Sequence, residues 1–519
     1  MQRILLATLT LCALTLGRLA HAGAERAADE IHWSFAGQTA VTVEWRGPEN
    51  TIAYGPTPAH RFEVTAAPST PWPSSSSGPF WTARITGLQE NTLYHYSIGD
   101  GPDHTFHTPL PHGSSGFSVF VEGDVGDAVT FPRMGLVQNQ IAQASPQFVL
   151  VVGDITYAND FGQQCVDQHF NDVMAWSQDA AYMPAWGNHE WDLATDDLRN
   201  YKGRFELPNA QSSPGAPDSA DALGTPRPYG KDWYWFDYGN TRFINIPDPY
   251  KYNPPSPWRD WKTRVVPIMD EAEADSEIAF IVTFGHRPTY SSGHYYPGST
   301  ELRGYLEALS PTHSKYVLDL SGHAHDYERT YPQAHITHLV CGVGGANLEG
   351  TNSTGCLWNS GCPAPAWSAY RAFRHATIQL RFTSTAIEGQ VVCAPDTNTQ
   401  SEMIDLECEV GTVIDTFAIA APPRPLPAPR FAFSRVAPNP SNTGFSLTYS
   451  LEGPDPATLE FLDAGGRMIL RRSLGSAGPG PHEAYVSYSS FPAPGIYFVR
   501  LRQSGHSAIA KVSVTPPHR

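Results

Sequence analysis

Four short apolar runs in the middle of the chain constrain its fold more than any other feature. Near-continuous apolar runs of this length are typical of strands buried on both faces of an α/β sheet. Helical patterns at 134–144 and 300–309 lie between some of them. We therefore predict an α/β domain over 115–420. The runs occupy residues 117–121, 147–152, 278–282 and 316–320.

Five loops in this region combine glycine with side chains that commonly bind metals. The carboxyl ends of strands in an open α/β sheet line one crevice, so loops that follow buried strands should converge there. Each loop alone is commonly a turn, but five in order would place two Asp, one Tyr, one Asn and four His together. Burying that much polarity against a core is favourable if metal ions neutralise it. The loops are 123–126, 153–157, 187–190, 285–288 and 322–325.

The first 22 residues have the pattern of a secretory signal peptide. Arg3 precedes an apolar segment at 5–17, and Ala20-His21-Ala22 offers a cleavage site. The segment is too short to span a bilayer, and no other stretch is long enough. We predict an exported protein, secreted or attached to the cell surface, with no transmembrane span.

Six cysteines remain once Cys12 leaves with the signal peptide. An even number in an exported protein favours disulfides, although some could be free buried thiols. Four of the six cysteines form two pairs that are close in sequence, and these pairs are the first predicted disulfides. The two remaining cysteines would form the third. The predicted pairs are Cys356–Cys362, Cys393–Cys408 and Cys165–Cys341.

The net charge separates the C-terminal region from the rest. The whole chain carries 34 Lys and Arg against 51 Asp and Glu, a net charge of −17. Such acidity disfavours a nucleic-acid partner or an anionic-membrane binder. Residues 428–519 hold nine basic and five acidic side chains, a net +4. This asymmetry, with a Pro-rich linker at 421–430, predicts a separate domain over 431–519.

Both ends of the mature chain read as β-structure. Residues 24–109 and 431–519 contain short alternating strands separated by Ser, Pro and Gly, a pattern typical of sandwiches. The pattern of Gly87-Leu88 followed by Tyr94 and Tyr96 resembles a fibronectin type III-like domain. The predicted fold class is multidomain: an N-terminal β-sandwich, a central α/β domain with a β-sandwich flanked by helices, and a small C-terminal β-sandwich.

The order of the five loops resembles the metallophosphoesterase superfamily. The blocks Asp-x-Gly, Gly-Asp-x-x-Tyr, Gly-Asn-His-Glu, His and Gly-His-x-His follow one another as in that superfamily. The tyrosine in the second block narrows the resemblance to the purple acid phosphatase family. The resemblance covers residues 24–420 and includes the fibronectin-like N-terminal domain of the larger members.

The resemblance implies a binuclear centre and a secreted acid phosphatase for phosphate monoesters. Two ions would clamp the phosphate and activate a water molecule as hydroxide for attack on phosphorus. Phenolate and carboxylate suit a trivalent ion, whereas imidazole and amide oxygen suit a divalent one. Fe(III) would bind Asp124, Asp154, Tyr157 and His325, and a divalent ion (Zn, Fe or Mn) would bind Asp154, Asn188, His286 and His323, with Asp154 as the bridge.

The resemblance also suggests three residues with catalytic roles beyond the ligands. His189 is expected to contact a phosphate oxygen, and Glu190 is expected to orient His189. His294 is expected to protonate the leaving alkoxide. Two departures from the family pattern stand out. Thr283 replaces a valine and is expected to matter little, while Tyr295-Tyr296 follows a single histidine where many plant members have two, so the identity of the general acid stays open.

The C-terminal domain resembles the sorting or surface-anchoring sandwiches of secreted bacterial enzymes, similar to type IX secretion signals. This rests on segments at 437–440, 463–467 and 494–498, and predicts attachment to the cell surface or contact with secretion machinery. An accessory β-domain is the alternative. For the whole chain, two alternatives remain open: a phosphodiesterase or nucleotidase with the same site, and a surface binding protein with a relic catalytic domain.

Overall fold

The computed structural model describes residues 27–190, 197–216, 229–249, 256–293, 296–350, 355–358, 361–394, 409–422, 431–478 and 480–516. The chain divides into two compact units, residues 1–422 and 423–519. Within the described ranges, no helix is both long and apolar enough to cross a membrane.

In its described residues, the first unit is built mainly of strands and contains seven α-helices. Its strands are β1 (Asp29–Gly37), β2 (Ala40–Arg46), β3 (Thr51–Gly55), β4 (Phe62–Thr65), β5 (Ala67–Pro68), β6 (Phe80–Thr86), β7 (Leu93–Ile98), β8 (His104–His107), β9 (Phe117–Glu122), β10 (Phe148–Val152), β11 (Ala181–Ala185), β12 (Trp235–Tyr238), β13 (Thr241–Asn245), β14 (Phe280–Phe284), β15 (Tyr316–Ser321), β16 (Tyr327–Thr330), β17 (Thr337–Cys341), β18 (Ser368–Ala372), β19 (Ala376–Phe382), β20 (Ala386–Cys393) and β21 (Val413–Ala420). Its helices are α1 (Pro132–Gln143), α2 (Ala158–Phe161), α3 (Gln164–Asp172), α4 (Met174–Ser177), α5 (Arg199–Lys202), α6 (Pro257–Ala274) and α7 (Thr300–Leu309), with a 3₁₀ turn at Ser310–Thr312.

The strands predicted from the apolar runs are confirmed as β9, β10, β14 and β15, and each is buried throughout or nearly so. The two predicted helices are confirmed as α1 and α7. Helix α1 starts at Pro132, a residue pre-organised for the first turn. Helix α7 starts after Ser299, whose side chain accepts a hydrogen bond from the Leu302 amide.

A ten-stranded sheet runs through the first unit in the order β21-β20-β19-β9-β10-β11-β1-β2-β6-β5. Its centre is parallel, because β10 pairs in parallel with β9 and β11. Strand β1 also pairs in parallel with β11, through Trp33 and Ala181. The sheet therefore contains strands from both regions 24–109 and 115–420. The remaining N-terminal strands form a separate sheet, β4-β3-β7-β8.

A seven-stranded sheet, ordered β12-β13-β14-β15-β17-β16-β18, supplies the other half of the catalytic region. Strands β13, β14, β15 and β17 are parallel neighbours. Aromatic rings join the two sheets: Phe243 lies 5.6 Å from Phe148 and 5.5 Å from Phe382, between ring centroids. These contacts belong to one continuous core. Packing of the two sheets fixes the positions of their parallel strands. It therefore also fixes where the loops that follow these strands begin.

The second unit contains two sheets around its own core. One sheet has the order β22-β23-β26 and the other β25-β24-β27-β28. Phe445, Phe461 and Leu501 are among the buried residues of this core. The strands are β22 (Ala432–Ala437), β23 (Gly444–Leu451), β24 (Ala457–Asp463), β25 (Met468–Gly475), β26 (Gly480–Ser487), β27 (Gly495–Gln503) and β28 (His506–Val514), with a 3₁₀ turn at Tyr488–Ser490.

The cysteines follow the prediction only in part. Cys356 and Cys362 form a disulfide, as predicted. Cys393 is disulfide-bonded, and Cys408, its predicted partner, lies outside the described residues. The predicted Cys165–Cys341 bond is wrong, because both residues are free and buried. Cys165 lies on α3 with its sulfur 3.7 Å from the Thr130 hydroxyl, whereas Cys341 ends β17.

Candidate metal centre

The first two predicted loops turn sharply as they leave the sheet. Asp124 and Asp154 follow β9 and β10 with φ angles of 55° and 47°, in the left-handed region. Glycine is needed between these turns and the facing loops. A Cβ on Gly153 would lie 2.6 Å from Nδ1 of His286, and one on Gly322 would lie 2.5 Å from Oδ2 of Asp124. The glycines therefore permit the close approach of the loops from the two sheets.

Four donor atoms converge around His286. Its Nε2 lies 3.2 Å from Oδ2 of Asp154, 3.1 Å from Oδ1 of Asn188 and 3.1 Å from Nδ1 of His323. The other ring nitrogen of His286 donates to the carbonyl of Val152 at 3.1 Å. This hydrogen bond fixes the tautomer, so the lone pair of Nε2 points into the cluster. We call these four residues, Asp154, Asn188, His286 and His323, the second donor set.

A second cluster lies around His325. Its Nε2 is 3.1 Å from the Tyr157 hydroxyl and 3.3 Å from Oδ1 of Asp124. Its Nδ1 donates to the carbonyl of Asn347 at 2.6 Å, which again directs the Nε2 lone pair into the cluster. The Asp154 carboxylate acts electrostatically on both His286 and His325. Asp124, Tyr157 and His325, with Asp154 between the clusters, are called the first donor set.

The two clusters have a field that favours positive charge. Burial would lower the pKa of His286, but the negative charge of Asp154 raises it to about 9. Burial would likewise lower the pKa of His325, but the negative charge of Asp124 raises it to about 9. Burial would raise the pKa of Asp154, but the neighbouring His286 holds it well below its usual range. The carboxylates of Asp124 and Asp154 therefore favour cations beside them, whereas burial and the neighbouring His286 and Arg287 lower the pKa of His323.

The residues present fit metal ions. Oδ1 of Asp124 is buried and faces Nε2 of His325 at 3.3 Å, but among the described residues no donor is aligned well enough to form a hydrogen bond with it. A buried carboxylate oxygen in that state is costly unless a cation binds it. Oxygen donors predominate in the first donor set, and imidazole with amide oxygen in the second. These chemistries suit a hard and a borderline ion, respectively.

His189 lies at the edge of the first donor set, and its predicted contact with a phosphate oxygen stays a prediction. Its ring centroid is 4.4 Å from that of Tyr157, and its backbone amide donates to Oδ1 of Asp154 at 2.9 Å. Its Nδ1 lies 2.8 Å from Oδ1 of Asn159 and 3.3 Å from Oδ2 of Asp160. With Nδ1 held in this way, Nε2 is directed away from these partners.

The expectation that Glu190 orients His189 is corrected. The buried Glu190 carboxylate instead accepts hydrogen bonds from backbone amides of two loops. Backbone N–H groups that are buried without an acceptor are costly, and a carboxylate placed between the two loops supplies acceptors for them. The donating amides are those of Asp154, Ile155, Thr156 and Gly187. Glu190 therefore holds the loops together, and Asn159 orients His189.

Two further residues of the site were not assigned roles from the sequence. The Tyr296 ring lies 4.0 Å from that of His323 and 6.2 Å from that of His325, between centroids. Asn159 was missed although it lies two residues beyond Tyr157, because its partner His189 is 30 residues away. His294, the predicted general acid, lies outside the described residues.

The role of Thr283 also differs from the expectation. Its hydroxyl donates to Oδ1 of Asp319 at 2.7 Å and lies 2.7 Å from the Tyr316 hydroxyl. All three side chains are buried. A valine has the same shape but no hydroxyl, so it would not satisfy this carboxylate. Thr283 is thus a specific hydrogen-bonding residue and not an interchangeable isostere.

The sequence matches two family models. Residues 117–327 match the calcineurin-like phosphoesterase model, and residues 28–111 match the model for the purple acid phosphatase N-terminal domain. The first range contains all seven donor residues described above.

Curated relatives include purple acid phosphatases from plants. A phosphoenolpyruvate phosphatase of Allium cepa is 23% identical over 389 residues, covering 66% of this chain and 73% of its own length. A relative from Arabidopsis thaliana described as "probable inactive purple acid phosphatase 27" is 26% identical over 66% of this chain and 61% of its length. Purple acid phosphatase 1 of Ipomoea batatas is 25% identical over 57% of this chain and 64% of its length.

Solved structures share the fold. A purple acid phosphatase, PPD1, from seeds of yellow lupin (Lupinus luteus) matches with a TM-score of 0.59 and 19% identity, over 76% of this chain and 74% of that chain. The identity is low, so this likeness concerns the fold alone. The chain is a phosphatase enzyme with a calcineurin-like phosphoesterase domain and a purple acid phosphatase N-terminal domain.

Proposed function

We propose that this protein is a binuclear metal-dependent acid phosphatase that hydrolyses phosphate monoesters. The observation that carries the proposal is the convergence of seven predicted donors into two sets that share Asp154. Side chains from both sheets meet there, although they lie as far apart in sequence as Asp124 and His325. A relic domain has no need to keep all seven donors.

The first donor set would hold Fe(III) and the second a divalent Zn, Fe or Mn ion. When bound, such a pair of ions clamps a phosphate group and supplies a strong nucleophile at moderate pH. The chain's own part is to hold these donors in place. The hydrogen bonds from His286 and His325 to backbone carbonyls fix both rings, and Glu190 fixes the loop of Asp154.

His189 is proposed to bind an oxygen of the transferred phosphoryl group. Its Nδ1–H donates to Asn159, so Nε2 is available to the site, and the protonated ring would donate to an anionic oxygen. Proton donation to the leaving group stays assigned to His294, as a sequence-based proposal. The fibronectin-like character of the N-terminal region is likewise proposed from its sequence pattern alone.

We also propose that the protein is exported, on the basis of the signal peptide pattern at 1–22. The second unit would then serve in sorting or surface attachment, as its sequence motifs suggest. Its net positive charge, opposite to that of the rest of the chain, supports a separate task for it.

The test is metal analysis of the purified protein, combined with an absorption spectrum and an aryl phosphate assay with and without chelator. We expect two metal ions per chain, loss of activity with chelator, and a purple or pink colour from Tyr157 bound to Fe(III). Tyr157→Phe should bleach the colour, whereas Tyr305→Phe, on α7, should not. A colourless, iron-free, fully active enzyme would rule out the Fe(III) assignment, and a metal-loaded protein without any hydrolysis would favour the relic alternative.

A further inference from the structure

Arg287 lies beside the second donor set and is anchored at one end. It directly follows His286, and its Nε donates to Oδ2 of Asp248 at 2.7 Å. Its NH1 contacts Nε2 of His323 at 2.5 Å. The Arg287 side chain is 22% exposed, whereas that of Asp248 is 4% exposed. The guanidinium is therefore fixed through Nε to a buried carboxylate, while part of the Arg287 side chain reaches solvent next to the site.

The contact with His323 depends on the proton of that ring. Nδ1 of His323 points into the second donor set, 3.1 Å from Nε2 of His286. A neutral imidazole carries one proton, so a ring that uses Nδ1 as a ligand has its proton on Nε2. An N–H group cannot accept a hydrogen bond from a guanidinium. In that state NH1 of Arg287 needs another acceptor, while Asp248 still holds Nε.

We propose that Arg287 binds a second anionic group of the substrate. A guanidinium is permanently charged and pairs well with a planar carboxylate or a phosphate. The substrate class is then a phosphate monoester with a carboxylate or another phosphate close to the scissile group. This inference rests on the proposed phosphatase function and specifies which monoesters the site prefers.

The position of Arg287 favours this role over binding of the scissile phosphoryl group. His189, the proposed phosphoryl ligand, contacts Tyr157 in the first donor set. Arg287 contacts His323 of the second donor set through Nε2, the ring nitrogen other than its donor atom Nδ1. A substrate held at the donor sets would have to extend past His323 to reach the guanidinium. An additional anionic group supplies that reach.

The test compares 2-carboxyphenyl phosphate with 2-carbamoylphenyl phosphate, which has a neutral amide in place of the carboxylate, and each substrate is compared between wild type and variant. For Arg287→Gln we expect kcat/KM for the carboxylate substrate to fall about 10-fold or more, mainly through KM. The value for the neutral carbamoyl substrate should stay within about twofold. Arg287→Lys should retain part of the preference because the charge remains. An equal loss for both substrates, or no loss, would overturn the proposal.

Two control variants separate binding from structural effects. Arg303→Gln removes an arginine that donates to the Thr289 carbonyl and stacks on Tyr290, and it should leave both substrates unaffected. Asp248→Asn keeps Arg287 and should preserve the preference for the carboxylate. If Asp248→Asn and Arg287→Gln instead lower kcat/KM for both substrates by the same factor, Arg287 is only a partner of Asp248 and the proposal is wrong.

A binding measurement makes the test independent of turnover. Titration calorimetry on the metal-loaded protein compares phosphonoacetate, which has a phosphonate and a carboxylate, with methylphosphonate, which has only the phosphonate. Arg287→Gln should weaken phosphonoacetate binding about 10-fold and leave methylphosphonate unchanged. If wild type hydrolyses neither aryl substrate, the proposed function fails, but the two phosphonates still decide the role of Arg287: equal affinities in wild type and variant overturn it.

Discussion

The backbone amide of His323 donates a 2.8 Å hydrogen bond to Oδ2 of Asp124. Asp124 follows a strand of the ten-stranded sheet, and His323 follows a strand of the seven-stranded sheet. The bond therefore joins the two sheets at the candidate metal centre through a contact between protein atoms alone. It orients Asp124 so that its other oxygen, Oδ1, faces His325 at 3.3 Å. The chain itself thus arranges part of the first donor set.

Asp154 is the shared member of both donor sets, so Asp154→Asn should cost at least one metal ion and nearly all activity. The variant keeps the size of the side chain and an acceptor for the His189 amide, but it loses the charge. Changes behind a metal ligand typically cost 10–100-fold, so the loss here should exceed about 100-fold. Asp270→Asn, on α6, is the matched control. Full metal content with near-normal turnover in Asp154→Asn, measured by elemental analysis and assay, would contradict the binuclear assignment.

The strands and helices of the catalytic region could be predicted because short segments of the sequence are sufficient to indicate them. The apolar composition of each buried run predicts a strand, and a glycine beside a polar residue predicts the loop that follows it. Helix α7 could be predicted to the residue because Ser299 caps it and an amphipathic pattern follows. The convergence of the loops was predictable for a related reason: parallel strands bring their carboxyl ends to one edge of a sheet. The division of the donors into two sets was implied only by the resemblance to the purple acid phosphatase family.

Other features depend on contacts between distant segments and could not be predicted. The pairing of β1 with β11 rests on a single parallel pair, Trp33 and Ala181, with no local signal. The free thiols of Cys165 and Cys341 follow from the tertiary positions of α3 and β17, whereas Cys356 and Cys362 are near neighbours in sequence. Glu190 could not be assigned correctly because its partners are backbone amides, whose direction the sequence does not specify.

Glu190→Gln should weaken both the fold and the metal site. The carboxylate accepts from the amides of Asp154 and Ile155, each at 2.9 Å. A carboxamide has one oxygen, so its NH2 group would face a backbone donor. We expect the free energy of unfolding to fall by about 1–3 kcal/mol, and metal affinity to fall about 10–100-fold. Urea denaturation and metal titration measure the two effects. Lost turnover with unchanged stability and metal affinity would instead indicate a direct catalytic role.

Thr283→Val should destabilise the seven-stranded sheet without touching a metal ligand. The change removes the donor to Asp319 and the partner of the Tyr316 hydroxyl, both in a buried setting. Leaving a buried carboxylate short of a donor costs about 1–3 kcal/mol. Thr263→Val, on the exposed face of α6, is the control and should change little. Equal unfolding free energies for wild type and Thr283→Val would show that valine is a true isostere here.

The buried His169 on α3 should make the fold sensitive to acid. Its Nδ1 donates to the carbonyl of Gly126 at 2.7 Å, and its Nε2 accepts from the Tyr182 hydroxyl at 3.0 Å. These partners suit the neutral ring. Burial lowers the pKa of His169 from 6.5 to about 4. Protonation would leave the Nδ1 bond to Gly126 in place, but it would remove the acceptor of the Tyr182 hydroxyl and place a charge in a buried site.

The sign of the pH effect follows from the two states. Between pH 6.5 and 4 the unfolded chain binds a proton at His169 that the folded chain does not, so stability is lost as the pH falls. The loss from this residue approaches about 3 kcal/mol near pH 4, and it is absent above about pH 7.5. Urea denaturation from pH 4 to 8, with chelator present throughout, isolates this effect from metal release. His169→Gln should be less stable at pH 8 but should lose less stability on acidification than wild type, while His107→Gln should keep the wild-type slope. Parallel curves for wild type and His169→Gln would assign the acid sensitivity to other groups.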